Sequence, residues 1–224
     1  MSVPKSIRLP ALLAAGLLLA SPALAVTITS TPGNAALAPG ESLVISFDVA
    51  SAAGISNTTL GNVITAAGST SGVRAAPVGT PQGGVYQSIG NGASSTFDFT
   101  GFVNGGALKS LSVYWGSVDR FNFVDFLNGQ GQVVSSFSGA ALPQNDGNQQ
   151  MSATNRRVFF NFLPQEEITS LRFRSTGNAF EFDSIGASAG PVPEPATWAT
   201  LIIGFSFIGY ALRQRRRSIA SVTA

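Results

Sequence analysis

The sequence predicts an all-β protein: an antiparallel, jelly-roll-like β-sandwich between an N-terminal signal peptide and one short C-terminal transmembrane helix. Three observations carry this. Apolar and polar residues alternate in roughly ten short segments, the period of a half-buried strand. No segment between Val26 and Pro191 shows helical periodicity, and Gly-rich turns separate the alternating stretches. Fourteen of the 16 phenylalanines lie in that region, which has no cysteine, so an exported domain here is held by aromatic burial rather than disulfides.

In chain order, Lys5 and Arg8 form a basic leader before an apolar stretch from Ala11 to Ala20. Ala23-Leu24-Ala25 is a small-residue cleavage site, so residues 1–25 read as a signal peptide and Val26 as the first mature residue. The sandwich is assigned to residues 26–187. Val26 to Ser30 alternates, and Leu43, Ile45, Phe47 and Val49 alternate with Val44, Ser46 and Asp48, which predicts a half-buried strand. From Ser51 to Gly92 the composition is Gly, Ala, Ser, Thr and Pro. That predicts loops with short strands near Thr59–Ile64 and Gly84–Ile89, and a low-complexity stretch over Gly68–Gly84.

Alternation then sharpens. Phe97 with Phe99, and Leu111 with Val113 and Trp115, mark inward faces. Phe121–Leu127 and Gln132–Phe137 flank Asn128-Gly129-Gln130-Gly131, a hairpin signal. Val158, Phe160 and Phe162 alternate again. Leu171 and Phe173 face one way while Arg172 and Arg174 face the other, and Ala179 to Ile185 predicts the last strand. Gly186 to Val192 reads as a small-residue tether.

The tail has three parts. Pro193 and Pro195 lack N–H groups and fix φ, which holds Glu194 in an extended segment that neither helix nor sheet absorbs. Residues 196–212 are uncharged and, as a helix, reach roughly 25 Å, slightly short of a hydrocarbon core. Trp198 and Tyr210 suit the interfaces, and Arg213, Arg215, Arg216 and Arg217 keep the C-terminal side, with residues 218–224, in the cytoplasm.

Pro193-Glu194-Pro195, the apolar run with Trp198, Gly204, Phe205 and Gly209, and the arginines together resemble the PEP-CTERM sorting signal, over residues 188–217. The resemblance implies cutting by exosortase, a membrane-embedded, transpeptidase-like protease of Gram-negative bacteria, with Glu194 and its prolines as substrate residues. It also implies transient anchoring in the inner membrane, then transfer to the cell surface or extracellular matrix. Tyr114-Trp115-Gly116-Ser117-Val118-Asp119, Asn155-Arg156 and Phe180 to Asp183 are similar to segments of exosortase-dependent surface proteins. That likeness implies fold and location, and no activity.

Charge supports the same division. The leader and tail hold six of the 13 basic residues, which leaves seven against eleven acidic ones between Val26 and Glu194. A mature domain near −4 argues against nucleic acid as a partner. The absence of histidine removes the commonest general base and the usual zinc ligand.

No catalytic set and no metal site is assigned. Asp119 with Asp125, or Glu181 with Asp183, could supply an acid and a nucleophile for a glycan, but such spacing also describes any polar strand face. Asp119, Asp125, Asp146, Glu181 and Asp183 offer hard oxygens for Ca2+, yet no calcium-loop repeat is present. Tyr114 is expected on the outer face, either stacking on a sugar or as an ordinary cross-strand aromatic. Arg156-Arg157 reads as a solvated edge or a contact for acidic polysaccharide. The expectation is a non-enzymatic, cofactor-free surface or matrix protein associated with exopolysaccharide. The alternatives are a secreted carbohydrate-active or lectin-like protein working through Asp/Glu and aromatics, and a plain single-pass periplasmic protein.

Overall fold

The protein is described by a computed structural model covering residues 26–80, 82–191, 200–210 and 213. In chain order the first strands are β1 (Thr27–Pro32), β2 (Ser42–Ile45), β3 (Ser56–Leu60), β4 (Val63–Ala67), β5 (Val85–Ile89) and β6 (Ser94–Asp98). A single helical turn, α1 (Thr100–Val103), leads to β7 (Leu108–Gly116), β8 (Asn122–Asn128) and β9 (Val133–Ser138). Then come β10 (Arg156–Asn161), β11 (Ile168–Ser175) and β12 (Phe180–Ala189).

These strands pair antiparallel into two layers. The larger sheet runs β1-β10-β7-β12-β5-β4, and β2 adds to β12 beyond the point where β5 ends. The smaller sheet runs β3-β6-β11-β8-β9. The all-β sandwich expected from the alternation is therefore present. Its helical content between Val26 and Pro191 is α1 and two short 3-10 turns, at Gly139–Ala141 and Pro164–Glu166.

Between the sheets lies the phenylalanine core. Trp115 stacks on Phe180 at 4.4 Å between ring centres, and Phe173 on Phe182 at the same separation. The second pair spans the gap from β11 to β12, so it ties one sheet to the other. Phe97, Phe126 and Phe160 add edge-to-face contacts. Each such ring contributes roughly 1.5–3 kcal/mol by leaving water, and the paired geometry adds about 0.5–1.5 kcal/mol.

Three local expectations are corrected. The stretch Leu43 to Val49 is not one strand, because Phe47 takes φ +62° and ends the ladder after Ile45. Leu43 and Val49 are exposed, while Phe47 turns its ring edge-on to Phe97 and Phe182. Thr59–Ile64 is two strands in different sheets, since the chain crosses from β3 to β4 there. Gly186 to Ser188 are ladder residues of β12, paired with β7, and not tether. The hairpin at Asn128–Gly131 forms as expected, with the Gly131 N–H donating to the Asn128 carbonyl at 2.9 Å.

Residues 200–210 are helical and exposed. No helix among the described residues is long and apolar enough to cross a membrane. Ala23, Ala25, Pro193, Glu194, Pro195, Trp198, Arg215, Arg216 and Arg217 lie outside the described residues, as do the leader and the rest of the expected helix. Arg213 is described and is helical.

Candidate functional site

The two outer faces of the sandwich differ. On the larger sheet, β12 turns Phe180 and Phe182 inward, which sends Glu181 and Asp183 outward beside Tyr114 of β7 and Tyr86 of β5. This face meets protein and not solvent. Residues 68–80 lie across it as a strap. The Tyr86 hydroxyl donates to the Gly68 carbonyl at 2.7 Å, the Ala75 N–H to Glu181 Oε1 at 2.9 Å and the Val78 N–H to Asn155 Oδ1 at 3.0 Å. The Tyr114 hydroxyl donates to the Val78 carbonyl. Pro77 rests on Gly116, where a Cβ would come within 2.7 Å of the Pro77 ring, so only glycine admits this approach.

A second segment covers the other half. Arg157 donates to the carbonyls of Ala35 and Ser184 and to Asn34 Oδ1. The Ser112 hydroxyl donates to Glu41 Oε2 at 2.6 Å, and the Ala38 N–H reaches the same oxygen. Arg156 is likewise buried, with its guanidinium on Ser30 and the Ala153 carbonyl. The two arginines are thus internal clamps, not a solvated edge.

Tyr114 is 1% exposed, so the expected outward aromatic is sealed beneath the strap. Glu181 is also 1% exposed and Asp183 is buried. Burial is the largest cause pushing the Glu181 carboxyl up to about 7, against the bonds from Ala75 and Ser117 and with the Asp119 charge adding to it. Burial likewise raises Asp183 to about 6, although Ser184 bonds to it. Asp119 reaches about 6 through burial and the facing Asp146 carboxylate.

The expected pairing of Asp119 with Asp125 does not form. Asp119 bridges the backbone of Asp146, whereas Asp125 lies on the smaller sheet's outer face. Among the described residues no three acidic side chains are grouped to hold a metal ion.

The smaller sheet's outer face is open, and its register places side chains in rows. One row crosses all five strands as Thr58, Thr96, Arg172, Asp125 and Ser136. The next is Leu60, Ser94, Arg174, Phe123 and Ser138. Asp125 is 2% exposed and organises the centre. Its Oδ2 accepts from Arg172 Nε and Nη2 and from Arg174 Nε at 2.7 to 3.0 Å, while its Oδ1 accepts from Ser136 at 2.6 Å. Burial pushes this carboxyl up, but the bonds from Arg174, Ser136 and Arg172, with the Arg174 charge, outweigh it and hold the group below its ordinary value.

Arg172 and Arg174 keep 36% and 33% of their side chains exposed, and Arg174 lies 4.2 Å above the Phe123 ring. Alternation along β11 pointed both arginines away from the core; that they share one carboxylate needs the register to β8. At about 4.8 Å per strand the face is roughly 20 Å across, and it displays hydroxyls, guanidinium N–H groups and one aromatic ring. Such a surface can hydrogen-bond and stack on flat, hydroxyl-rich ligands.

The remaining candidate is the tail that leaves β12 at Gly190. Residues 191–217 carry a PEP-CTERM protein-sorting motif. The PEP-CTERM motif is the recognition signal for exosortase, and it marks an exported protein for membrane-associated sorting to the cell surface. No curated protein sequence matches the chain.

Two solved structures from Clostridium thermocellum show a weak likeness. A xylanase 10B fragment holding CBM22-1 and GH10 modules in complex with xylohexaose is 14% identical, with a TM-score of 0.37 over 69% of this chain. The chain spans only 28% of that fragment's length. The family 11 carbohydrate-binding module of the cellulase Lic26A-Cel5E is 13% identical, with a TM-score of 0.31 over 69% of this chain and 97% of the module. Both scores are too low to carry a ligand or an activity to this protein.

Proposed function

We propose that the chain is a non-enzymatic protein of the cell surface or extracellular matrix that associates with exopolysaccharide through the open face of its smaller sheet. In this reading the signal peptide exports it, and residues 196–212 span the inner membrane transiently. Exosortase then cuts near Pro193 to Pro195, and a jelly-roll-like sandwich is released outside the cell. The single observation that supports the surface role is the asymmetry of the two faces. Glu181 and Asp183 lie under the strap, while Arg172, Arg174, Phe123 and a field of hydroxyls face water.

The test is intact-mass measurement of the protein recovered from the matrix fraction of its native cells, beside co-sedimentation of that protein with cell-free exopolysaccharide. The expected result is a mass ending within residues 193–196, with or without an adduct, and a protein that sediments with the polymer. Glu194→Ala leaves a membrane-held precursor. A mass running through Ala224 refutes the sorting route in favour of a plain anchor, and a mature protein that stays in the supernatant refutes the glycan association.

A further inference from the structure

A cavity of about 510 Å³ opens at the end of the sandwich where β12 leaves the larger sheet. That volume is within the roughly 300–1,000 Å³ of ordinary ligand pockets. Both layers wall it. Lys109 comes from β7 of the larger sheet, Thr169 from β11 of the smaller, and Gly129 and Gln130 from the turn between β8 and β9. Phe162 and Pro164 supply an apolar wall, and Glu167 is the second charged residue of the lining.

We infer that this cavity takes the terminal residue of an acidic polysaccharide: a pyranose whose carboxylate meets the Lys109 ammonium and whose hydroxyls meet Thr169, Gln130 and Glu167. An unmet donor is the first ground. Thr169 is 8% exposed, and its hydroxyl has no hydrogen-bond partner. A Cβ built on Gly129 would have this oxygen as its nearest neighbour, 4.0 Å away, so the hydroxyl borders the space that the absent side chain leaves open. A buried hydroxyl without a partner is costly and rare, and a ligand oxygen supplies the acceptor.

Charge is the second ground. Arg120, Arg156, Arg157, Arg172 and Arg174 all donate to acceptors within the protein. Among the described residues the ion pairs are those of Arg172 and Arg174 with Asp125, so Lys109 and Glu167 share the lining without pairing. The positive group of this cavity is left for an anion, and Glu167 for hydroxyl donors.

The third ground is the mixture of groups. Thr169 and Lys109 donate, Glu167 accepts and Gln130 does both, which matches a ring of hydroxyls that also do both. The C–H face of a pyranose suits the wall of Phe162 and Pro164. Backbone groups nearby are already engaged: the Gly190 N–H donates to the Ala107 carbonyl at 2.7 Å, and the Phe162 N–H to the Lys109 carbonyl at 3.0 Å. The polar groups on offer are therefore side chains, which favours a sugar over a peptide that would add as a strand. For the source of its ligand the inference rests on the exopolysaccharide reading; for its geometry it does not.

The test uses Lys109 as its own probe. It is the only lysine beyond Lys5, so reductive methylation with isotope-labelled formaldehyde marks this side chain in the protein purified from its native cells and keeps its charge. The labelled methyl signal is followed by NMR during titration with methyl glucuronoside, methyl glucoside, acetate and N-acetylglutamate. Methyl glucuronoside should move it saturably, with a Kd of roughly 1 mM, and the glucoside and acetate should each bind at least about tenfold more weakly. Thr169→Val removes the orphan hydroxyl at nearly constant shape, so the melting midpoint should hold or rise while glucuronoside affinity falls about tenfold. Gly129→Leu fills the space and should abolish the shift. The assignment is overturned by a signal that glucuronoside does not move, by equal affinity for acetate or the neutral glucoside, by tighter binding of N-acetylglutamate, which would point to a peptide, or by an affinity unchanged in both variants. Glucuronoside binding by a protein that stays in the supernatant beside exopolysaccharide would refute the open-face association and support the cavity. Co-sedimentation without glucuronoside binding would overturn the cavity alone.

Discussion

Glu181→Gln isolates one consequence of the sealed face. The carboxyl is pushed from its ordinary 4.5 to about 7, chiefly by burial. The folded state therefore holds a proton that the unfolded chain releases near 4.5. Stability from this group is fully present below that value and is lost as pH rises through about 7. The interval, at about 1.4 kcal/mol per pH unit, corresponds to about 3 kcal/mol lost between pH 4.5 and pH 8. Glutamine keeps the shape and still accepts from the Ala75 N–H, and it remains neutral throughout.

Urea denaturation of the mature protein at pH 5, 6, 7 and 8 reads the difference. Wild type and Glu181→Gln should have similar midpoints at pH 5, and the variant should be the more stable by about 3 kcal/mol at pH 8. Asp183 and Asp119, both raised to about 6, give wild type and variant a common slope of the same sign at lower pH. Parallel curves across the whole range would show that the Glu181 carboxyl is not held neutral beneath the strap.

Asp125→Ala removes the acceptor shared by Arg172, Arg174 and Ser136. Because both arginines are partly hydrated the loss should be about 2–4 kcal/mol rather than that of a fully buried triad, measured by the same denaturation. The wild-type carboxylate is held below 3.8, so its contribution persists above that pH and disappears only as pH falls through the folded value. Gly54→Ala should lower the melting midpoint by several degrees, more than about 2 kcal/mol, because Gly54 has φ +80° and its Cβ would lie 2.4 Å from the Gly101 carbonyl carbon.

Strands whose partners bury one face were legible in the sequence. β7, β8, β10 and β11 each alternate because the core takes every second residue, and the Asn-Gly-Gln-Gly turn closes its own hairpin. The outer face of the larger sheet was not legible. Alternation assigns Tyr114, Glu181 and Arg157 to the side away from the core, and it equates that side with water. The cover comes from distant, low-complexity chain: Ala75 meets Glu181 across 106 positions, and Asn34 meets Arg157 across 123. No periodicity encodes such contacts. Phe47 was misplaced for a local reason, since a positive φ at a phenylalanine has no pattern to announce it.

The tail is attached to an interior strand. β12 holds β7 along one edge and β5 and then β2 along the other, so neither edge is free over most of its length. Ladder hydrogen bonds in antiparallel sheets run perpendicular to the strands. Tension along β12 therefore acts in shear on ladders at both of its edges, whereas the same pull along β1 at the sheet's rim would load a single ladder.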